Sequence, residues 1–257
     1  KINRLIKTLQ KQNIHNIFIS APENVAWLLN LRGKDNPNSP IPNCKLILTE
    51  YKKIFFFSCP KKISKIKKND DYKNFNFCTY KEFDQIINNL NGQNFCIDKT
   101  TCSISNEKKI KAKFRIKSHI DPCYLFKSIK NKVEIKNMTD AHLKDGVALT
   151  KFIYWIKEIN KRRITELDVE KKLESFRKLD KNYLFPSFNT IAGTGANGAI
   201  VHYRANKKTN KFIKKEHLLL CDSGGQYRYG TTDVTRTICF SNQKKILKRN
   251  YTNVLKG

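Results

Sequence analysis

Residues 221–240 read CDSGGQYRYGTTDVTRTICF, and the three leucines Leu218, Leu219 and Leu220 precede them. An apolar run, a Gly- and Tyr-rich turn and a β-branched run in that order specify two antiparallel strands joined by a hairpin. With the turn near Tyr227 and Arg228, Asp222 and Asp233 fall opposite each other, their Cβ atoms about 4.5–5.5 Å apart. Two ionised carboxylates at that spacing repel, and on a buried strand each also loses hydration. A shared proton would neutralise them. So would divalent metal, because two such carboxylates suit a pair of cations about 3.5–4 Å apart. Acids at exposed strand ends would need neither.

The rest of the chain changes character along its length. Ile2, Leu5, Ile6 and Leu9 have helical spacing, and the strand-like HNIFIS and the helix APENVAWLLNLRG follow. DNPNSPIPN, with three prolines, is a loop, and CKLILTE and KKIFFFSC form a strand hairpin. KEFDQIINNL as a helix, NFCID as a strand, a polar helix and RIKSHI as a strand complete an α/β region. IKNKVEIKN, from residue 129, is polar and marks a boundary between domains 1–133 and 134–257. Beyond it, Leu143, Val147, Phe152, Trp155, Ile156 and Ile159 trace one face of a long helix. Thr165 and Asp168 have the spacing of a capping box that opens a second helix.

The 257 residues carry 51 Lys and Arg against 22 Asp and Glu, a net charge of +29. Such a balance suits a polyanion, but here the excess is nearly all lysine spread along the chain, without an Arg cluster or aromatic-studded basic run. It predicts no specific nucleic-acid partner, and KKISKIKKND reads as a solvated face or loop. Eight cysteines form no CxxC and no zinc-type cluster with histidine; most lie in apolar runs as buried thiols, which suits a reducing cytoplasm. No apolar run approaches the length of a membrane span. The chain starts at Lys1 rather than Met, which suggests a start within a longer protein.

GTGANG, residues 193–198, fits G-x-G-x-x-G. That fingerprint needs a helix N-terminus after it to hold a pyrophosphate, whereas AIVHYRAN, which follows, reads as a β-branched strand. The glycines are better read as permitting tight turns and close backbone approach. His202 lies in AIVHY, between this loop and the two-acid segment, and is the one histidine in such company; His15, His119, His142 and His217 read as structural.

FPSFNTIAGTGANGAIVHY followed by CDSGGQYRYGTTDVTRTICF closely resembles the Xaa-Pro aminopeptidases (aminopeptidase P) of the pita-bread metallopeptidase family. KNMTDAHLKDGVALTKFIYWI looks like that family's opening catalytic-domain helix, and APENVAWLLNLRGKDNPNSPIPNCKLIL like its creatinase-like middle domain. The resemblance implies an α/β (α+β) fold, with a creatinase-like domain over 1–133 and the first half of a pita-bread catalytic domain over 134–257. It also implies a hydrolase that cleaves before a penultimate proline, with two divalent cations, usually manganese, held by two Asp, one His and two Glu. Asp222 and Asp233 fall on the two Asp positions, and His202 on the substrate-binding histidine. Peptides with proline second are the implied substrates, a homodimer the implied assembly and the cytoplasm the implied location. No histidine follows His217 and no acid follows Asp233, so the remaining ligands are missing and no catalytic residue is assigned. The chain alone is then expected to bind metal weakly and hydrolyse little. The alternative is a non-catalytic binding module of the same fold, or a truncated pseudoenzyme.

Overall fold

Three short segments of the first region, NIFI, KLILT and NFCI, are apolar at almost every position rather than alternately, the pattern of strands covered on both faces. The computed structural model, which describes residues 1–158 and 163–257, bears this out. In order come α1 (Ile2–Lys11), β1 (Asn16–Ile19), α2 (Pro22–Leu29), β2 (Lys45–Thr49), β3 (Ile54–Phe57), α3 (Pro60–Ile66), β4 (Asn76–Cys78), α4 (Phe83–Asn89), β5 (Asn94–Ile97), α5 (Ile104–Lys111), β6 (Arg115–Ser118) and α6 (Pro122–Ser128). The strands form one mixed sheet in the order β4-β3-β2-β1-β5-β6. β1, β2 and β3 pair antiparallel, while β4, β5 and β6 join parallel to their neighbours. Strand alternation then divides the core in two. Ile17, Ile19, Leu46, Leu48 and Phe56 pack with Leu5, Val25 and Phe126 on one face. Phe18, Ile47, Phe57, Phe95 and Ile97 pack with Ile87, Ile110 and Phe114 on the other.

Part of the basic stretch expected to be a solvated face or loop is α3, which buries Ile63. Six of the cysteines are buried free thiols, and Cys59 and Cys239 are exposed.

This sheet unit spans Lys1–Lys130, and Asn131–Gly257 form a second compact unit. The second unit holds α7 (Lys132–Glu158), α8 (Glu166–Arg177), β7 (Tyr183–Pro186), β8 (Ile191–Thr194), β9 (Leu219–Ser223), β10 (Gly225–Tyr227), β11 (Gly230–Thr231), β12 (Val234–Ile238) and α9 (Lys245–Lys256). Its strands make two three-stranded sheets, β11-β10-β7 and β12-β9-β8. Phe152, Ile156, Val169, Leu173, Leu219, Cys221 and Ile238 form its core. The capping box is present, with the Thr165 hydroxyl accepting from Asp168 N and the Asp168 carboxylate accepting from Thr165 N.

The structure departs from the sequence pattern in two places. The buried face of α7 is Ala141, Asp145, Ala148, Leu149, Phe152 and Ile156, whereas Leu143 and Val147 are 65% and 54% exposed. Ile159 lies outside the described residues. At Ala141 the buried face needs a small residue because β11 approaches closely: a Cβ added at Gly230 would sit 2.7 Å from the Ala141 Cβ. AIVHY is not a strand. Residues Gly195–Ala199 form a 3₁₀ helix, and Ile200 and Val201 are exposed in the turn that follows. No described helix is long and apolar enough to cross a membrane.

Candidate metal centre

Leu219, Cys221 and Ser223 of β9 point into the core, so Leu220 and Asp222 share the outer, half-buried face. β9 is the middle strand of its sheet, and Asp222 pairs with Ile191 of β8 on one side and Thr235 of β12 on the other. The Thr235 hydroxyl donates to Asp222 Oδ1 at 2.8 Å.

Asp233 is therefore not the residue opposite Asp222. The hairpin turns at Arg228 and Tyr229, because Tyr227 pairs with Gly230 and Gln226 with Thr231. The expected turn fails for a physical reason. Tyr227 is fully buried, its ring packs edge-on against Tyr183 at 5.7 Å, and its hydroxyl donates to Asp145 Oδ1 at 2.9 Å. A residue so held cannot occupy a solvent turn, so exposed Arg228 takes the position. The turn centre moves by one residue, so each partner across the ladder shifts by two: Val234 pairs with Ser223, and Thr235 rather than Asp233 with Asp222. Continuing the alternation of β12 back by one residue puts Asp233 on the same side as Thr235, diagonal to Asp222. Diagonal Cα atoms are about 7–8 Å apart, with Cβ atoms somewhat closer. Repulsion between the two is correspondingly weaker: Asp233 is exposed and Asp222 half-buried, so neither carboxylate is stripped of water.

Asp233 is positioned by what precedes it. Thr232 is buried, its N–H and hydroxyl both bonded to Gly225, with Gly225 N donating to Thr232 Oγ1 at 2.9 Å. Ser187 Oγ donates to the Thr232 carbonyl at 2.8 Å, and Ser187 N to the Gly224 carbonyl at 3.1 Å. Gly224 admits no side chain, since an added Cβ would lie 2.0 Å from the Thr232 oxygen. This knot sits where the chain passes from one sheet to the other, one residue before Asp233.

Beneath both strands lies a buried network that the sequence reading missed. Arg177 Nε donates to Asp145 Oδ1 at 2.6 Å, and Nη2 donates to Asp145 Oδ2 at 3.1 Å and to Ser223 Oγ at 3.0 Å. Arg177, Asp145, Ser223 and Tyr227 are all essentially inaccessible to water. Burial, with the Asp145 charge beside it, raises the Tyr227 phenol well above the ordinary tyrosine range. The signal for this network is Asp145 itself, one acid at helical spacing on the stripe Ala141, Ala148, Phe152.

His202 is exposed and has a φ of +53°, a left-handed conformation that few side chains adopt. It belongs to a turn rather than the expected strand. The loop before it does use its glycines for close approach: a Cβ on Gly193 would meet Gly198 Cα at 2.9 Å, and Gly195 has a φ of +56° beneath the His217 ring.

Two hard carboxylate donors flanking one side of a sheet fit part of the coordination sphere of a divalent cation pair. Among the described residues no group of three or more His, Cys, Asp or Glu side chains gathers to hold a metal ion. A cleft of about 610 Å³ between β12 and α9, lined by Leu218, Thr237, Cys239, Leu247 and Tyr251 among others, contains neither acid.

Residues 1–134 match the creatinase/prolidase N-terminal domain family, and residues 136–257 match metallopeptidase family M24. A probable Xaa-Pro aminopeptidase P of Leptosphaeria maculans is 33% identical over 270 residues, covering 100% of this chain and 44% of its own length. The Xaa-Pro aminopeptidase ApepP of Drosophila melanogaster is 33% identical over 257 residues, covering 97% of this chain and 41% of its own. The X-prolyl aminopeptidase of Caenorhabditis elegans, described as a cytosolic enzyme with a di-nuclear active site, superimposes with a TM-score of 0.85 at 26% identity, over 95% of this chain and 41% of that one. The chain thus spans less than half the length of these relatives. A mixed-sheet unit followed by a sheet that carries two outward acids, each half matched in turn by its own family, makes this chain a member of the M24 metallopeptidases that carry a creatinase/prolidase-type N-terminal domain.

Proposed function

We propose that this chain supplies two aspartate ligands of a dinuclear Xaa-Pro aminopeptidase. Residues 1–133 are its creatinase-like domain, and 134–257 are the first half of the catalytic domain. The observation that carries the reading is the diagonal register of Asp222 and Asp233, in a chain matched along its length by Xaa-Pro aminopeptidases. Manganese is the cation proposed, since a mostly oxygen donor set suits a hard divalent ion. Bound there, cations supply Lewis-acid charge that polarises a scissile carbonyl and makes water acidic enough to act as a nucleophile near neutral pH. The residues of this chain do the rest. Asp222 and Asp233 neutralise and space the cations, the Thr235 hydroxyl orients one Asp222 oxygen, and the Gly224–Thr232 knot fixes where Asp233 emerges. His202 is the proposed donor to the substrate carbonyl, on a peptide with proline at its second position. A homodimer in the cytoplasm is the proposed setting, in keeping with the cytosolic description of the nematode enzyme.

The absence of a third ligand among the described residues favours a second reading, a module of this fold that performs no hydrolysis by itself. One titration separates much of this. Calorimetry of MnCl2 into the chain is expected to give weak binding, with Kd on the order of 10⁻⁴–10⁻³ M as in sparsely liganded oxygen sites. Asp222→Asn and Asp233→Asn should each abolish it. Tight stoichiometric binding would refute the two-ligand reading, and binding unchanged in both variants would refute the assignment of the acids.

A further inference from the structure

The turn that bears His202 is held by a buried carboxylate with no role in the chemistry described so far. Glu166, the first residue of α8, is fully buried. Its Oε1 accepts from Thr194 N at 2.8 Å and from Asn197 Nδ2 at 3.0 Å. Its Oε2 accepts from the Tyr203 hydroxyl at 2.8 Å, from Asn197 Nδ2 at 3.1 Å and from Lys211 N at 3.1 Å. These donors are neutral, and they come from both flanks of the turn, Thr194 and Asn197 before His202, Tyr203 and Lys211 after it.

The same points are tied to each other. Asn197 Nδ2 donates to the Tyr203 oxygen at 2.7 Å and to the Thr209 carbonyl at 3.2 Å. The Thr209 hydroxyl lies 3.3 Å from that of Tyr203. The Glu166 main chain joins in, its N–H donating to the Lys211 carbonyl at 3.1 Å. Ile213 N donates to the Ile164 carbonyl at 2.8 Å, so the far end of the loop is fastened to the start of α8.

A buried carboxylate is expensive unless it is fully hydrogen-bonded. A histidine at positive φ persists only where its surroundings over-determine it. Here the two occur together, since the strained residue immediately precedes the tyrosine whose hydroxyl Glu166 holds. We infer that Glu166 is a positioning residue: through Asn197 and Tyr203 it clamps the 195–211 loop and fixes where His202 presents its imidazole to a peptide. This rests on the proposed role of His202, and the test separates the two.

Hydrogen exchange would be followed by mass spectrometry on the full chain and on Glu166→Gln and Tyr203→Phe. Glutamine turns an N–H₂ group toward donors, and phenylalanine removes one hydroxyl while keeping the ring. Losing a hydrogen bond to a charged group should speed exchange of the 195–211 amides about tenfold or more, with β9, β12 and α7 unchanged. Tyr203→Phe should also weaken binding of a tripeptide with proline second, as His202→Ala does. Unchanged loop exchange would overturn the inference. So would exchange accelerated throughout the second unit, which marks a merely structural residue. Local loosening with peptide affinity intact, where His202→Ala loses it, would overturn the positioning role. If His202→Ala binds the peptide normally, the histidine assignment fails, and the exchange data still judge the clamp. Where Glu166→Gln does not fold, Tyr203→Phe carries the test alone.

Discussion

Charge placement at single residues decides how the second unit holds together. Arg177 and Asp145 form a bidentate pair removed from water, and Ser223 and Tyr227 add one further hydrogen bond to each partner. Such a pair adds little over well-packed apolar residues, but removing one partner strands the other charge in a low-dielectric interior. Arg177→Ala is therefore expected to cost about 3–5 kcal/mol of stability, read as a fall in the urea midpoint of the second unit. It leaves Asp145 uncompensated beneath Ser223, the residue beside Asp222, so manganese affinity should fall in the same variant. A loss well under 1 kcal/mol would mean that the pair is reached by water. Asp222 and Asp233 themselves gain nothing from burial. They are held by main-chain register and by Thr232 and Thr235.

At the scale of elements, α8 shows how a local signal sets structure independently of the core. The Asp168 carboxylate accepts from the Thr165 hydroxyl at 2.7 Å and from Thr165 N at 3.0 Å, and these bonds hold its pKa below the usual carboxylate value. A carboxyl depressed on folding stabilises the protein above its unfolded pKa, near 3.9, and that contribution is lost as pH falls through the lower folded value. Thr165→Ala should cost about 1 kcal/mol near pH 7, and the deficit should shrink as pH drops below about 4. A pH-independent deficit would mean that the hydroxyl, not the carboxylate, does the capping. This box was legible in the sequence because both partners sit within one helical turn. So were the strands of the first sheet other than β4 (Asn76–Cys78), and the two-acid hairpin, whose apolar and β-branched runs are local. The hairpin's register was not legible, because it depends on Tyr227 finding Tyr183 and Asp145, neither nearby in sequence. The face of α7 misled for the same reason. Leu143 and Val147 look inward by spacing, yet the buried stripe runs through Ala141, Asp145 and Ala148, and at Ala141 β11 comes too close for a large residue. AIVHY failed because Tyr203 is held by its hydroxyl to Glu166, which bends the chain into a turn where β-branched propensity called for a strand.

The whole molecule carries more charge than it can pair. With 51 basic and 22 acidic residues, 29 cations lack a carboxylate even if every acid were matched. Thirteen of the basic residues lie in three exposed stretches: Lys61, Lys65, Lys67 and Lys68 on and after α3, Lys207, Lys208, Lys211, Lys214 and Lys215 before β9, and Lys244, Lys245, Lys248 and Arg249 at α9. The sequence has no Arg cluster or aromatic-studded basic run beside them, so nucleic acid should bind only through sequence-independent electrostatics that fade steeply with salt. The folded state gathers these like charges, and self-repulsion works against it. Raising salt from 0.01 to 0.15 M shortens the Debye length from about 30 to about 8 Å, which screens repulsion between distant lysines while barely touching the buried Arg177–Asp145 pair. Exposed pairs such as Lys136–Asp140 and Lys109–Asp84 weaken too, but surface pairs of this kind contribute little to stability. Repulsion among many unpaired cations should outweigh them. The thermal midpoint is therefore expected to rise over this range, and by a similar amount in NaCl and in KCl. A midpoint that falls with salt would mean that surface ion pairs, rather than the unpaired lysines, dominate the electrostatic balance of the fold.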